Sequence, residues 1–597
     1  MPRTSRRRFL KTMGAGTLSL AIPARLPASS SAAGRPIRRM PNVILIITDD
    51  QGYGDFSCHG NPELRTPHLD HLHGQSVRMT DFHVDPTCSP TRASLLTGRY
   101  SSRTGVWHTI MGRSQIRRDE ITMADVFSRN GYRTGIFGKW HLGDNYPFRA
   151  QEHGFQESVV IGGGAIGNAP DYWDNDYFDD TYFRNGVWQK YDGYCTDVFF
   201  DQAMRFISAD KDRPFFVYLP TNTPHWPHHV ADKYSRPYLD RGIPERRATF
   251  YGMIANIDDN VGRLTKFLQD ENLEANTIFV YMTDNGTSFG AAYDKEGKLS
   301  EGFNCMMRGQ KGSIYDGGHH VPCFLRWPVG GLGGGRNVPE LSAHIDMLPT
   351  LIDLCGLKGP ENVCMDGASL RPLLEKRAAD WKERILFVHN QRVDFPIKGK
   401  DWAAMTSRWR LVNGRELYDM SLDPGQKTDM AAAHAGVVRE LQEAYARWWD
   451  DISSRFDEFT HIIVGSDKEN PVKLTSHDIH GQVGWDHSHV KRNSRCDGFW
   501  AIEIERDGEY LISLRRFPQE AGIPLSEAPE GAEPMRVTHG RLKVAEHDLS
   551  RRIQPGDMSV DFRVNLRRGQ TRLQGWLVDG IENGQTNAAF YVYIKRL

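Results

Sequence analysis

From Pro41 onward, short apolar runs rich in β-branched and aromatic residues alternate with longer stretches in which apolar residues return every three or four positions. The first kind predicts strands and the second helices. Their alternation predicts an α/β region built on a large, mostly parallel sheet flanked by helices. The predicted strands are NVILIIT from Asn42, YRTGIF from Tyr132, PFFVYLP from Pro214, NTIFVYM from Asn276 and VPCFLRW from Val321. Between them, TMADVFSRN and RRATFYGMIANIDDNVGRLTKFLQD read as crossover helices. The pattern changes near Leu373. There WAAMTSRWRLVNGRELYDM carries a hairpin signal at Asn413-Gly414 and precedes the helical GVVRELQEAYARWWDDISS, predicting a small antiparallel sheet closed by a helix. After about Thr460 long helical periods vanish, and runs such as FWAIEIERDGEYLISLRRF, with a turn at Asp507-Gly508, predict an all-β sandwich. The expected regions are 40–372, 373–459 and 460–597, and the glycine-rich GGLGGGRN from Gly330 reads as a flexible loop inside the first.

A chain of 597 residues suits two or three domains. Its 74 Lys+Arg against 75 Asp+Glu leave no basic field to gather nucleic acid or an anionic membrane, so any anion chemistry is local. Eight cysteines are too sparse for a disulfide scaffold and include no CxxC pair, although Cys355 and Cys364 are candidates for a bridge. The N-terminus adds an address. Residues Ser5 to Lys11 read S-R-R-R-F-L-K, ahead of a weak apolar run from Met13 to Ile22 that falls far short of the roughly 20 residues a spanning helix needs. This resembles a bacterial twin-arginine signal, with cleavage expected in PASSSAAG, so residues 1–35 are a predicted export signal. The resemblance implies the twin-arginine export machinery as a partner, and a periplasmic or extracellular destination.

In an open α/β sheet, ligands sit beyond the carboxyl ends of the strands, so the polar residues following each apolar run are the candidates. They are Asp49 and Asp50 in TDDQGYGD, Lys139 and His141 in GKWHLG, His225 in TPHWPH, and Asp284 and Asn285 in TDNG. Three carboxylates and an amide from two strand ends make an oxygen-only ligand set, which a hard divalent cation prefers, calcium or magnesium above zinc. Each pair alone would pass for a helix cap or a turn; their recurrence at successive strand ends points to a site.

Cys88 lies in HVDPTCSPTRASLLTGRY. Ser89 as N-cap and Pro90 at the first helical position predict a helix that Gly98 ends, with Cys88 just ahead of its N-terminus. Such a place favours an anion, and Arg92, one turn on, would hold an oxyanion or ligand the cysteine side chain. A small buried apolar residue and a thiolate nucleophile beside a histidine are the other readings of this cysteine.

CSPTRASLLTGR resembles the C-x-P-x-R signature of the formylglycine-dependent sulfatases. NVILIITDDQGYGD, GKWHLG, TPHWPH, TDNG and RGQKGSIYDGG resemble that family's other motifs in their usual order, over roughly Pro41 to Ser454. The resemblance implies an alkaline phosphatase-like fold and a Cys88 oxidised to formylglycine by a maturation enzyme. It implies a calcium ion, rather than magnesium, held by Asp49, Asp50, Asp284, Asn285 and the modified Cys88. Arg92 and Lys139 would position the aldehyde hydrate and the sulfate; His141, His225 and Lys311 would bind sulfate and assist proton transfer, with His225 favoured over His141 as general acid. One hydroxyl of the hydrate attacks sulfur, and the second lets the enzyme expel sulfate and restore the aldehyde.

Asp316 and His320 in YDGGHHVP depart from the family's usual Glu and Arg, which questions that edge of the pocket. His108 in TGVWHTIMGR and the aromatic stretch DYWDNDYFDDTYFRNGVWQKYDGY are candidates to line a substrate cleft, the latter equally a hairpin packing its aromatics inward. TSHDIHGQVGWDHSHVKRN, with His477, His480, His487 and His489, reads as a cleft wall, a metal site or solvated loops. The expected activity is an exported sulfatase acting on a sulfated carbohydrate or an aryl sulfate. Alternatives are a phosphonate monoester or phosphodiester hydrolase of the same superfamily, against which Asn285 argues, and a non-catalytic glycan-binding protein.

Overall fold

The apolar runs read as strands assemble into one ten-stranded sheet, in a computed structural model that describes residues 40–295, 297, 299–579 and 586–597. The export signal read in residues 1–35 lies outside the described residues. Asn42–Thr48 runs at the centre, parallel to Phe215–Pro220 on one side and Thr277–Thr283 on the other. Arg133–Lys139 and Glu157–Ile161 continue the parallel set. All seven residues of Asn42–Thr48 are buried because both faces of the sheet are covered, which is why the run is continuously apolar. Alternate side chains serve two cores: Val43, Leu45 and Ile47 pack with Leu95 and Leu348, while Ile44 and Ile46 pack with Phe199 and Ile257 of the helices Cys195–Ala209 and Glu245–Asp270. The sheet is mixed rather than wholly parallel. Cys323–Arg326 runs antiparallel between Thr277–Thr283 and Val77–Met79, and the hairpin Thr181–Arg184/Val187–Lys190 forms one edge. The glycine-rich run from Gly330 leads directly into the other edge strand, Arg336–Val338.

The strands Leu386–His389, Trp402–Met405, Trp409–Val412 and Glu416–Asp419 form an antiparallel sheet. Asn413 and Gly414 both take positive φ, 49° and 66°, as a two-residue hairpin turn requires. Leu441, Tyr445, Trp448 and Trp449 of the helix Ala435–Ile452 pack onto Trp402, Leu411 and Leu417. Beyond Ile462, a seven-stranded and a four-stranded sheet enclose a separate core. Asp497–Ile504 and Gly508–Arg515, joined across Asp507, do not pair with each other. They lie in the two facing sheets, where Trp500 and Ile502 meet Tyr510 and Ile512. All eight cysteines are free, so Cys355 and Cys364 are not bridged. Among the described residues no helix is long and apolar enough to cross a membrane.

Candidate active site

Strand register assembles the acidic cluster. Thr48 and Thr283 are partners across adjacent parallel strands, so Asp49-Asp50 and Asp284-Asn285 emerge side by side at the carboxyl edge. The Asp50 N–H donates to Asp284 Oδ1 at 3.1 Å, and Asn285 Nδ2 donates to Asp50 Oδ1 at 2.9 Å. Asp50 and His141 have φ of 68° and 54°, a left-handed region that non-glycine residues rarely occupy and that the surrounding structure must hold. Two glycines make room. A Cβ on Gly138 would fall 1.9 Å from the Pro220 carbonyl oxygen, and one on Gly164 would fall 2.2 Å from the His141 ring.

The helix carrying the cysteine runs Cys88–Thr97, so it starts earlier than Ser89 and Pro90 suggested. Extended Thr87 is the N-cap, Cys88 is already in the first turn, and the Ser89 hydroxyl caps nothing. Gly98 ends the helix in the left-handed conformation with its N–H on Ser94 O. Arg92 reaches across the strand ends: Nη2 donates to Asp284 Oδ2 at 2.8 Å and Nη1 to the Lys139 carbonyl at 3.0 Å.

Each carboxylate has a cation: Arg92 on Asp284, Lys139 on Asp49 and Lys311 on Asp50. The Arg92, Asp284, Lys139 and Asp49 side chains are wholly buried. Even so burial prevails at two of the three carboxylates. Burial pushes the Asp49 pKa up despite Lys139, and burial together with the Asp49 charge raises Asp284 to about 6. For Asp50, burial acts upward, but Lys311 and His225 prevail and lower it. Burial likewise opposes the charge of Lys311, yet Asp50 raises its pKa. Two oxygens aimed into this cluster, Asp49 Oδ1 and Asn285 Oδ1, are buried without a hydrogen-bond partner. Orphaned acceptors beside carboxylates raised by burial fit an oxygen-ligated divalent cation. Asp49, Cys88 and Asp284 offer ligand atoms within 4.8 Å of one another, as do Asp49, Asp50 and His225.

The two imidazoles are oriented by backbone carbonyls, which can only accept. His141 Nε2 lies 2.9 Å from Thr109 O, so its proton sits there and Nδ1 faces Cys88 Sγ at 3.4 Å. His225 Nδ1 is bound to Trp226 O, leaving Nε2 free, 3.8 Å from Asp50 Oδ2. Burial, with Lys139 for the first and Lys311 for the second, depresses both: His141 falls well below its ordinary value and His225 to about 3. Burial also raises the Cys88 thiol.

These groups open into a cleft of about 820 Å³ that includes Cys88, His141, His225 and Lys311. Its walls add Trp226, Arg392 and, from the β-sandwich region, His477, Trp485 and Arg492. TSHDIHGQVGWDHSHVKRN is thus a cleft wall, and none of its histidines belongs to a group able to hold a metal among the described residues. His108 is not in the cleft. It is buried behind Thr109, whose N–H it accepts at 2.7 Å, and burial with Arg392 lowers its pKa to about 3. The aromatic stretch packs inward, with Tyr177, Tyr182 and Tyr194 in the core; only Asp174, Asn175 and Asp176 reach the cleft. Asp316 and His320 also lie off the cleft, in a buried network where Arg410 binds Asp316 and Asp81 at 3.2 and 2.8 Å. Sequence reasoning missed Arg392 as a cleft residue, since it sits in a loop without strand or helix periodicity, whereas Trp485 and Arg492 belong to the stretch already read as a cleft wall. A second cavity of about 440 Å³, lined by Trp188, Glu469 and Lys473, contains none of the strand-end carboxylates.

The sulfatase family model matches residues 41–357, and that for the N-sulphoglucosamine sulphohydrolase C-terminal region matches residues 310–448. Human arylsulfatase A is 29% identical over 473 residues, covering 69% of this chain and 88% of that protein. N-acetylgalactosamine-6-O-sulfatase of Bacteroides thetaiotaomicron is 29% identical over 487 residues, covering 68% of this chain and 92% of that protein. The solved structure of Ps i-CgsB in complex with k-i-k-neocarrahexaose superposes with a TM-score of 0.63 at 26% identity, covering 71% of this chain and 95% of that one. Both family models stop before the β-sandwich, whose first strand begins at Ile462. With the sulfatase model spanning more than half of the chain, the protein belongs to the sulfatase family and is a sulfuric ester hydrolase.

Proposed function

We propose that the protein is an exported sulfatase that hydrolyses a sulfate ester of a carbohydrate, using a formylglycine made from Cys88 and a bound calcium ion. The observation that carries the formylglycine is the placement of Cys88, buried in the first turn of its helix within C-S-P-T-R and offering its ligand atom within 4.8 Å of those of Asp49 and Asp284. Burial raises its thiol pKa, so the thiolate that a cysteine nucleophile needs is disfavoured. The unmodified thiol is therefore poorly served, and an oxygen nucleophile in its place does not depend on a thiolate. The hydrated aldehyde would supply that oxygen. Asp49, Asp50, Asp284 and Asn285, with the modified residue 88, would hold the calcium ion, which would neutralise charge on the sulfuryl oxygens.

The chain's own groups supply the rest. Lys139 and Lys311 bring positive charge to the bound sulfate, and Arg92 holds Asp284 against the Lys139 strand end. His141 Nδ1 takes a proton from the hydroxyl at position 88, and the Thr109 carbonyl steadies the charged ring that results. His225 keeps its Nδ1–H on the Trp226 carbonyl, so it would act as general acid after Nε2, turned to Asp50, has taken up a proton from water beside the bound sulfate ester, passing that proton to the departing alcohol. A carbohydrate is favoured because two of the similar proteins are an N-acetylgalactosamine-6-O-sulfatase and a protein bound to a neocarrahexaose. Ser5 to Lys11 supports twin-arginine export to the periplasm or beyond, and a formylglycine-generating enzyme is the required maturation partner.

The test is peptide mass spectrometry across Cys88 in protein from a host that makes formylglycine, with sulfate release from sulfated sugars and aryl sulfates followed on the same sample. Conversion to the aldehyde, with release abolished in Cys88→Ala, is expected. An unmodified thiol from the native source would turn the reading to glycan binding, and cleavage of phosphorus esters alone would turn it to phosphonate or phosphodiester hydrolysis.

A further inference from the structure

We infer that the segment Ser476–Asn493 of the β-sandwich builds a second subsite of the cleft, one that binds a neighbouring sugar ring of an anionic oligosaccharide beside the sulfated one. The inference rests on the sulfatase reading and narrows its substrate class.

Trp485 is 43% exposed and Trp226 51%, and both line the same cleft. An indole left open to water in a concave site offers a flat apolar face that suits the C–H face of a sugar ring. Trp485 is not a loose surface residue. Its carbonyl accepts from Ala169 N at 3.0 Å, His487 N donates to Gly167 O at 2.9 Å, and Asn168 and Asp486 form a β-bridge between them. Its ring lies against His489 with centroids 3.9 Å apart. A side chain held this way loses little freedom on binding, so its contact converts efficiently into affinity.

The charge of the wall selects an anionic ligand. Arg392 and Arg492, both exposed and both lining the cleft, pair with no carboxylate among the described residues; the Arg492 guanidinium donates to the Ser488 hydroxyl, at 2.7 Å. Of the acids in the same wall, Asp174 holds Lys491 at 3.4 Å, Asp486 accepts from Ser488 Oγ and His489 N, and Asp176 accepts from Phe178 N at 3.3 Å, leaving the two guanidiniums to a ligand. Two unpaired guanidiniums in a concave site suit a second sulfate or a carboxylate on the chain. The wall also continues to the reaction centre, since the His477 ring is 6.0 Å from that of His141. One ligand can therefore span both.

The experiment compares kcat/KM for 4-nitrophenyl sulfate with that for neocarrahexaose and chondroitin sulfate hexasaccharides. The oligosaccharide-to-aryl ratio should fall about tenfold in Trp485→Ala and in Arg492→Gln, and recover largely in Trp485→Phe. Calorimetry in a Cys88→Ala background reads binding without turnover, and whichever hexasaccharide binds should bind less tightly in Trp485→Ala. An unchanged ratio with unchanged binding overturns the subsite. Absence of sulfate release by the wild type from every ester instead overturns the sulfatase reading, while the binding arm still decides the subsite.

Discussion

Arg92 and Asp284, both without solvent exposure, meet at 2.8 Å beneath the cleft, and the other arm of the same guanidinium holds the Lys139 carbonyl at 3.0 Å. One side chain thus ties the cysteine helix to two strand ends. Removing one partner of such a pair leaves a buried uncompensated charge.

Arg92→Ala is expected to destabilise the protein by about 3–5 kcal/mol, read by denaturant unfolding. Arg92→Lys keeps the charge but lacks the fork that spans both acceptors, so it should retain more stability than the alanine variant while losing most sulfate release. Equal stability of wild type and Arg92→Ala would show that the pair holds nothing together.

Gly164 owes its missing side chain to His141, whose ring stands 2.2 Å from where a Cβ would be. Gly164→Ala should therefore displace the imidazole, costing about 1–3 kcal/mol by overpacking and lowering kcat as His141→Ala does. The double variant should be more stable than Gly164→Ala alone, a non-additivity that a thermal-melt cycle detects. Full activity in Gly164→Ala would mean that the ring's position is immaterial.

Chelation should lower the thermal midpoint, and calcium should restore it, by about 2.7 kcal/mol at a hundred times its Kd. Asn285→Ala removes one of the orphaned oxygens and should shrink the shift. Restoration by zinc but not calcium would contradict the oxygen-rich site.

Glu469, half-buried and accepting from Asn145 Nδ2 and Tyr146 N at 3.2 and 2.7 Å, has its pKa raised by desolvation from 4.5 to about 7. The folded protein holds this proton more tightly than the unfolded chain. Its contribution to stability is therefore complete below pH 4.5 and is lost as pH rises toward 7. Glu469→Gln should flatten thermal stability across that window. A slope unchanged in the variant would assign the dependence to other groups.

Much of this was legible in the residues. Strands such as Asn42–Thr48 are continuous apolar runs because both faces are covered, and the catalytic candidates follow them directly, so the carboxyl edge could be read without coordinates. The helix start was misplaced because Ser89 and Pro90 look like a cap, whereas the extended backbone at Thr87 sets the boundary. His108 as a cleft residue, and the choice between cleft and inward packing for the aromatic stretch, were beyond a local pattern, because contact with water depends on tertiary packing. Among three readings of the stretch around Trp485, the cleft wall could not be singled out, because backbone bonds to residues 167–169, some three hundred positions away, bring that loop to the cleft.

Those backbone bonds have an evolutionary consequence. Main-chain donors and acceptors persist whatever side chains they carry, so the wall can change its residues and keep its place. The strand-end carboxylates and their buried cations have no such latitude. Selection can therefore redraw which molecule the cleft admits, one loop residue at a time, while the buried charge cluster at the strand ends stays as it is.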